Sequence, residues 1–271
     1  MMKFIPLILA LTTSVSFAVC PDGKTYSVTL TFDDGPHPAL TPRVLDVLDA
    51  EKVKGTFFVL GERFTGGKSN PANKTSYAIL DRMKRAGHTI GSHTFNHLRH
   101  PGESDSKIRE NIFKPNELLK DYLSPVLRLP YGAGAFKSNN PEVQRKNDYV
   151  MNTVKKAGFK HVLWDIDTND WDPKRKSTIL PTMLNDICSK KGGVILFHDI
   201  QANTVDHLQD WIRAIKAQGH QIVGLEKFVP EAAKPFKGED CQLPTVSKQV
   251  DELGEFINQM DELGDFIKKL D

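Results

Sequence analysis

Seven short apolar runs, each separated from the next by a stretch with helical spacing, constrain this chain more than any other feature. The runs fall at 27–32, 55–60, 89–93, 126–129, 161–166, 193–197 and 221–225. Between them apolar residues recur at helical intervals, as in Val44, Leu45 and Leu48, and again in Ile79, Leu80 and Met83. Gly87, Gly158 and Gly219 each stand just before the next run, where a left-handed helix cap favours glycine. Strand–helix alternation at this spacing implies a parallel sheet. Seven or eight such units in roughly 250 residues is the size of one closed α/β barrel. A doubly wound open sheet is the competing architecture, but it would place a glycine-rich phosphate loop after the first strand. Asp33-Asp34-Gly35-Pro36 stands there instead.

The two ends read differently. Met1-Met2-Lys3, an apolar run over 4–11 and the small-residue stretch ending Ser16-Phe17-Ala18 have the layout of a secretory signal peptide over 1–18. The apolar run is shorter than the ~20 residues that a membrane span needs, so no transmembrane anchor is expected. A lipidated Cys20 is the alternative, disfavoured by Val19 before it. The barrel domain is expected over 19–230 and a linker with a C-terminal repeat over 231–271. There, residues 251–260 are nearly duplicated in 261–270, and on a helix Leu253, Phe256, Ile257 and Met260 share one face with their counterparts. That helix is expected to pack on the barrel; a docking or self-association helix is the alternative. Export implies an oxidising compartment, where Cys20 is expected to pair with Cys241 and Cys188 to be simply buried. A net charge of +2 gives no sign of a nucleic-acid partner.

The unusual polar residues are concentrated. Asp33, Asp34, His93, Arg128, Asp167, Asp170, His198 and Asp199 all fall at or just past the C-terminal ends of predicted strands. In a parallel barrel those ends share one rim, where active sites are built. His93 and His97 are four residues apart, so one turn of chain can aim both imidazoles at one point. With Asp34 they make a two-histidine, one-carboxylate set, the usual hydrolytic zinc arrangement with a position left for water. The adjacent Asp33 then needs its own partner, because like charges oppose each other's ionisation, and Arg128 is the natural one.

Five stretches resemble the motifs of the NodB-homology polysaccharide deacetylases, carbohydrate esterase family four. They are Thr31-Phe32-Asp33-Asp34-Gly35-Pro36, Ser92-His93-Thr94-Phe95-Asn96-His97, Arg128-Leu129-Pro130-Tyr131-Gly132, Asp167-Thr168-Asn169-Asp170-Trp171 and Ile195-Leu196-Phe197-His198-Asp199. The resemblance runs from about residue 26 to 229 and implies a distorted parallel (β/α) barrel of about seven strands. It implies Asp33 as the base, Asp34, His93 and His97 as metal ligands, and Arg128 as the group holding the base. The Tyr131 N–H matches an oxyanion donor, Pro130 belongs to the same substrate-binding turn, and Trp171 and Leu196 match the walls of an acetyl pocket. His198 matches the acid and Asp170 the residue orienting it. Leu129 stands where the family commonly has proline, and Asp165 has no counterpart role.

The expected reaction is removal of N-acetyl groups from an extracytoplasmic glycan polymer by metal-activated water, with Asp33 as base and His198 as acid, the exported protein being periplasmic or extracellular. Zinc is the expected ion; cobalt or nickel suits the same donors. Peptidoglycan is the expected substrate, its N-acetylglucosamine or N-acetylmuramic acid. Chitin oligosaccharides and O-acetylated xylan are alternatives. A catalytically silent glycan-binding module is the alternative of another class, though no required side chain is missing. The segment 61–76 is expected to shape the substrate groove.

Overall fold

The computed structural model describes residues 20–237, Ala135 excepted. The expected signal peptide, the C-terminal repeat and Cys241 lie outside the described residues. Eight parallel strands form one sheet: β1 (Ser27–Asp33), β2 (Gly55–Val59), β3 (Thr89–Ser92), β4 (Val126–Leu127), β5 (Lys160–His161), β6 (Ile166–Asp167), β7 (Gly193–His198) and β8 (Gln221–Ile222). Among the described residues they alternate with α1 (Leu40–Ala50), α2 (Lys74–Arg85), α3 (Asp105–Leu119), α4 (Pro141–Lys156), α5 (Ile179–Lys190) and α6 (Ala202–Ala217). The strand order β5-β4-β3-β2-β1-β7-β6, with β8 paired to the start of β1, curls into a distorted parallel (β/α) barrel.

β1 sets the geometry because residues 28–33 are buried throughout, as a central parallel strand requires. Side chains alternate along it. Phe32 points out to the helices and stacks between Phe57 (5.0 Å) and Phe197 (5.7 Å), its register partners on β2 and β7. Burying that ring contributes about 1.5–3 kcal/mol. Thr31 and Asp33, one residue to either side, therefore face into the barrel. The helices bury the residues their spacing picks out: Val44, Leu45 and Leu48 on α1, and Ile79, Leu80 and Met83 on α2. Gly87, Gly158 and Gly219 have φ of 74°, 82° and 81°, as the expected caps require.

Two expectations change. The single strand expected at 161–166 is two short ones, because this stretch closes the barrel across its seam. Val162 N–H donates to Leu127 O (2.8 Å) on one side, and Asp165 N–H donates to Val194 O (2.9 Å) on the other. The chain crosses between them at Leu163-Trp164. Cys20 is bonded to Cys188 and not to Cys241. The reason lies in the register. β1 and β7 run side by side with Val28 opposite Gly193, so the segment entering β1 and the end of α5 entering β7 meet at the same end of the barrel. A helical cysteine that looked merely buried is thereby brought within a Cα–Cα distance of 5.3 Å of Cys20.

Candidate active site

The C-terminal ends of the strands surround a cleft of about 500 Å³, lined by Asp33, Asp34, His93, His97, Leu129, Tyr131, Trp164, Asp167, Trp171, Leu196, His198 and Gln201. β1 delivers Asp33 and, just past its end, Asp34; β3 ends immediately before His93. His198 closes β7 directly opposite Asp33 in the ladder. Five non-glycine residues around the rim have left-handed backbones: Asp34 (φ 75°), Thr94 (69°), His97 (59°), Tyr131 (59°) and Asn169 (51°). Such conformations cost about 1–3 kcal/mol each and persist where surrounding contacts over-determine them. Here they turn the chain sharply enough for His93 and His97 to converge, with ring centroids 5.1 Å apart.

Asp34 Oδ1 lies 3.3 Å from Nε2 of both histidines. Nδ1 of His93 is 2.8 Å from the carbonyl oxygen of Arg128, which can only accept, so Nδ1 carries the proton. In the neutral ring Nε2 then presents a lone pair to Asp34 Oδ1, a buried oxygen with no hydrogen-bond donor. Lone pair facing lone pair in a buried site is unfavourable unless a cation lies between them. The ligand atoms of Asp34, His93 and His97 lie within 4.8 Å of one another, and the donor set suits a divalent ion. Burial works against charge on Asp34, so the carboxylate form itself calls for a positive charge at this point. Burial lowers the pKa of His97, and the neighbouring His93 adds to the effect.

Arg128 is fully buried and does not line the cleft. Nη1 donates to Asp33 Oδ1 and to Thr31 Oγ1, both at 2.8 Å. Nε reaches Val162 O at 3.3 Å and Nη2 reaches Leu163 O at 3.1 Å, so the same guanidinium spans the barrel seam. Phe58 packs against its face at 4.3 Å. Asp170, also buried, holds the other side. Its Oδ1 is 2.7 Å from His198 Nδ1, and its Oδ2 accepts the His198 N–H at 2.7 Å and the Thr204 hydroxyl. Burial opposes a charge on His198, but the Asp170 carboxylate outweighs it and raises the imidazole pKa to about 9.

The structure brings together all but one of the expected site residues. Trp171 and Leu196 line the cleft, whereas Pro130 is buried and does not line it; its neighbour Leu129 does. Asp165 serves the scaffold, accepting the Val194 N–H at 2.8 Å. The segment 61–76 contributes no side chain to the cleft. Instead it braces the ligand loop from behind, through Gly61 N–H to Thr94 O (2.9 Å) and Glu62 N–H to Phe95 O (2.8 Å). Sequence reasoning passed over Trp164 and Gln201 in the lining, and the Thr31 and Thr204 hydroxyls behind it. It also gave Asp199 no role. This carboxyl is fully buried against Gly35, accepts from Thr41 Oγ1 at 2.5 Å, and is pushed up to about 7 by burial.

Comparison with known proteins gives a consistent result. The model of the polysaccharide deacetylase family matches residues 21–162, which include Asp33, Asp34, His93, His97 and Arg128 and end before Asp170 and His198. A peptidoglycan-N-acetylglucosamine deacetylase of Bacillus cereus is 32% identical over 209 residues, 74% of this chain and 87% of that protein. The Listeria monocytogenes peptidoglycan-N-acetylglucosamine deacetylase PgdA is 30% identical over 225 residues, 82% of this chain. This chain spans only 43% of the length of that relative. Among solved structures, the peptidoglycan deacetylase PdaC from Bacillus subtilis superposes with a TM-score of 0.57 at 27% identity, covering 76% of this chain and 91% of that one.

Proposed function

The chain belongs to the polysaccharide deacetylase family, and on that premise we propose that it hydrolyses N-acetyl groups of an extracytoplasmic glycan, with peptidoglycan N-acetylglucosamine or N-acetylmuramic acid as substrate. The observation that carries this reading is the pairing of Asp33 with Arg128 and of His198 with Asp170, side by side on β1 and β7, next to one cation-seeking donor set. A divalent ion, zinc by expectation, held by Asp34, His93 and His97 would supply Lewis acidity for water and for the acyl oxygen.

The remaining chemistry belongs to the chain itself. Asp33, oriented through Oδ1 by Arg128, takes the proton of the attacking water on Oδ2. The Tyr131 N–H donates to the oxygen that becomes negative as the carbonyl carbon turns tetrahedral. An amine leaves an amide only when protonated. With Nδ1 of His198 committed to Asp170, Nε2 faces the cleft, and a pKa of about 9 keeps its proton in place at neutral pH. Trp171 and Leu196 give the acetyl methyl an apolar wall. Products are acetate and a free amine on the sugar.

Export through a signal peptide over 1–18 is part of the same reading. The Cys20–Cys188 disulfide supports it, since such bonds persist in oxidising compartments. No helix of the described residues is long and apolar enough to cross a membrane. The test is acetate release by the purified protein from peptidoglycan, chitin oligomers and acetylated xylan in parallel, with and without a chelator. Chelator-sensitive release, fastest from peptidoglycan, is expected. Release from xylan alone would overturn the N-deacetylase assignment, and release indifferent to chelator would overturn the metal.

A further inference from the structure

The two sulfurs of the Cys20–Cys188 bond stand in opposite surroundings. Cys20 is buried, only 4% exposed, whereas Cys188 is partly open to solvent. Nε2 of His220, itself buried, lies 3.8 Å from Cys20 Sγ. The other edge of that ring fixes its proton. Nδ1 faces the Tyr26 N–H at 3.0 Å, a group that can only donate, so Nδ1 accepts and Nε2 carries the hydrogen. Burial lowers the pKa of this histidine, which keeps the ring neutral. An N–H therefore faces Cys20 Sγ. The same tautomer excludes a cation held jointly by Cys20, Cys188 and His220, because Nε2 has no lone pair to offer. Cys188 is placed differently. It sits in the last turn of α5, which ends at Lys190. The helix dipole concentrates partial negative charge there and opposes a thiolate. A sulfur departing with an electron pair is thus favoured at Cys20 and disfavoured at Cys188.

We propose that this bond is a thiol-exchange site at which a small thiol attacks Cys188. The attacking thiol gives its proton to solvent, and its thiolate forms a new S–S bond to Cys188 Sγ from the exposed side. The Cys20–Cys188 bond breaks, and Cys20 Sγ takes the electron pair as a thiolate that accepts from His220 Nε2–H. The products are a mixed disulfide on Cys188 and a thiolate at Cys20. The thiol is the only co-reactant. Attack at Cys20 is disfavoured twice, since that sulfur offers little surface and the charge would be left at the helix end. The site lies where β1 and β7 begin, at the far end of both strands from Asp33 and His198. The proposal therefore stands independently of the deacetylase reading.

The test exposes the full oxidised chain to glutathione, quenches in acid to protonate the thiolates, and maps peptic peptides by mass spectrometry. A glutathione adduct on Cys188 beside a free Cys20 is expected. An adduct chiefly on Cys20, or a bond left closed at millimolar glutathione, would overturn the proposal. His220→Leu, which removes the N–H, is expected to slow opening about tenfold. A purely structural loss would instead loosen the site and speed opening, and a rate equal to or above wild type would overturn the proposal. Should that variant not fold, the reduced wild type decides through the pH midpoint for alkylation of each cysteine. Cys20 titrating below Cys188 is expected, and the reverse order would overturn the assignment of the leaving sulfur.

Discussion

The two sides of the cleft hold their working groups by one device run with opposite charge. On the β1 side a buried guanidinium holds a carboxylate; on the β7 side a buried carboxylate holds an imidazole. Each inner member is satisfied by further bonds, Arg128 by Thr31 and two seam carbonyls, Asp170 by Thr204 and the His198 N–H. Each outer member keeps one edge for the cleft: Oδ2 of Asp33, Nε2 of His198. The inner charge selects what the outer group can do. A proton acceptor stands beside the cation and a proton donor beside the anion, although both outer groups occupy equivalent places in adjacent strands. The comparison also shows an asymmetry, since Arg128 braces the barrel seam while Asp170 reaches only a strand end and one helix hydroxyl.

That contrast can be broken from either side. The largest effect is expected from Asp33→Asn, which removes the acceptor and leaves the shape: acetate release should fall by about 10³-fold while metal analysis shows the ion retained. Activity within a few-fold of wild type would end the base assignment. Arg128→Met should be the most destabilising change, by about 3–5 kcal/mol in denaturant unfolding, because it strands a buried carboxylate. The seam carbonyls of Val162 and Leu163 lose their donors as well. A loss under about 1 kcal/mol would mean the pair contributes little to the fold. Asp170→Asn should do least to stability and act on pH dependence. With His198 at about 9, its proton is present below that pH and lost above it, so wild-type activity should decline on the alkaline side near 9. Without the carboxylate the imidazole returns toward its ordinary value of about 6.5, moving that limb to lower pH and costing about tenfold at pH 7.5. An unmoved alkaline limb would show that His198 is not the titrating acid.

What could be read in the sequence follows a physical division. His93 and His97 were legible because their partner is set by local spacing, and Arg128 because an adjacent pair of acids demands a cation. Those arguments need no knowledge of the fold beyond a common rim. Thr31, Thr204 and Trp164 were not legible. Each is an ordinary residue that gains a role only from what the sheet and α6 place beside it, 97 residues away in the case of Thr31 and Arg128. The seam is similar: a six-residue apolar run reads as one strand, and only closure of the barrel reveals that its two halves pair with different neighbours. Pro130 was misplaced because a motif lists neighbours without saying which of them face inward. The cysteine pairing failed for the same reason as Thr204, since it depends on which segments arrive at one end of the barrel.

The disulfide also carries information about time. Its partners are 168 residues apart, and the loop between them contains six strands, four whole helices with most of a fifth, and every cleft side chain up to Trp171. If the chain is exported N-terminal end first, as proposed above, Cys20 emerges early and must wait while that whole stretch follows. The first thiol to reach it is Cys188, and Cys241 comes only 53 residues later. On that reading the order of emergence presents the bonded partner first.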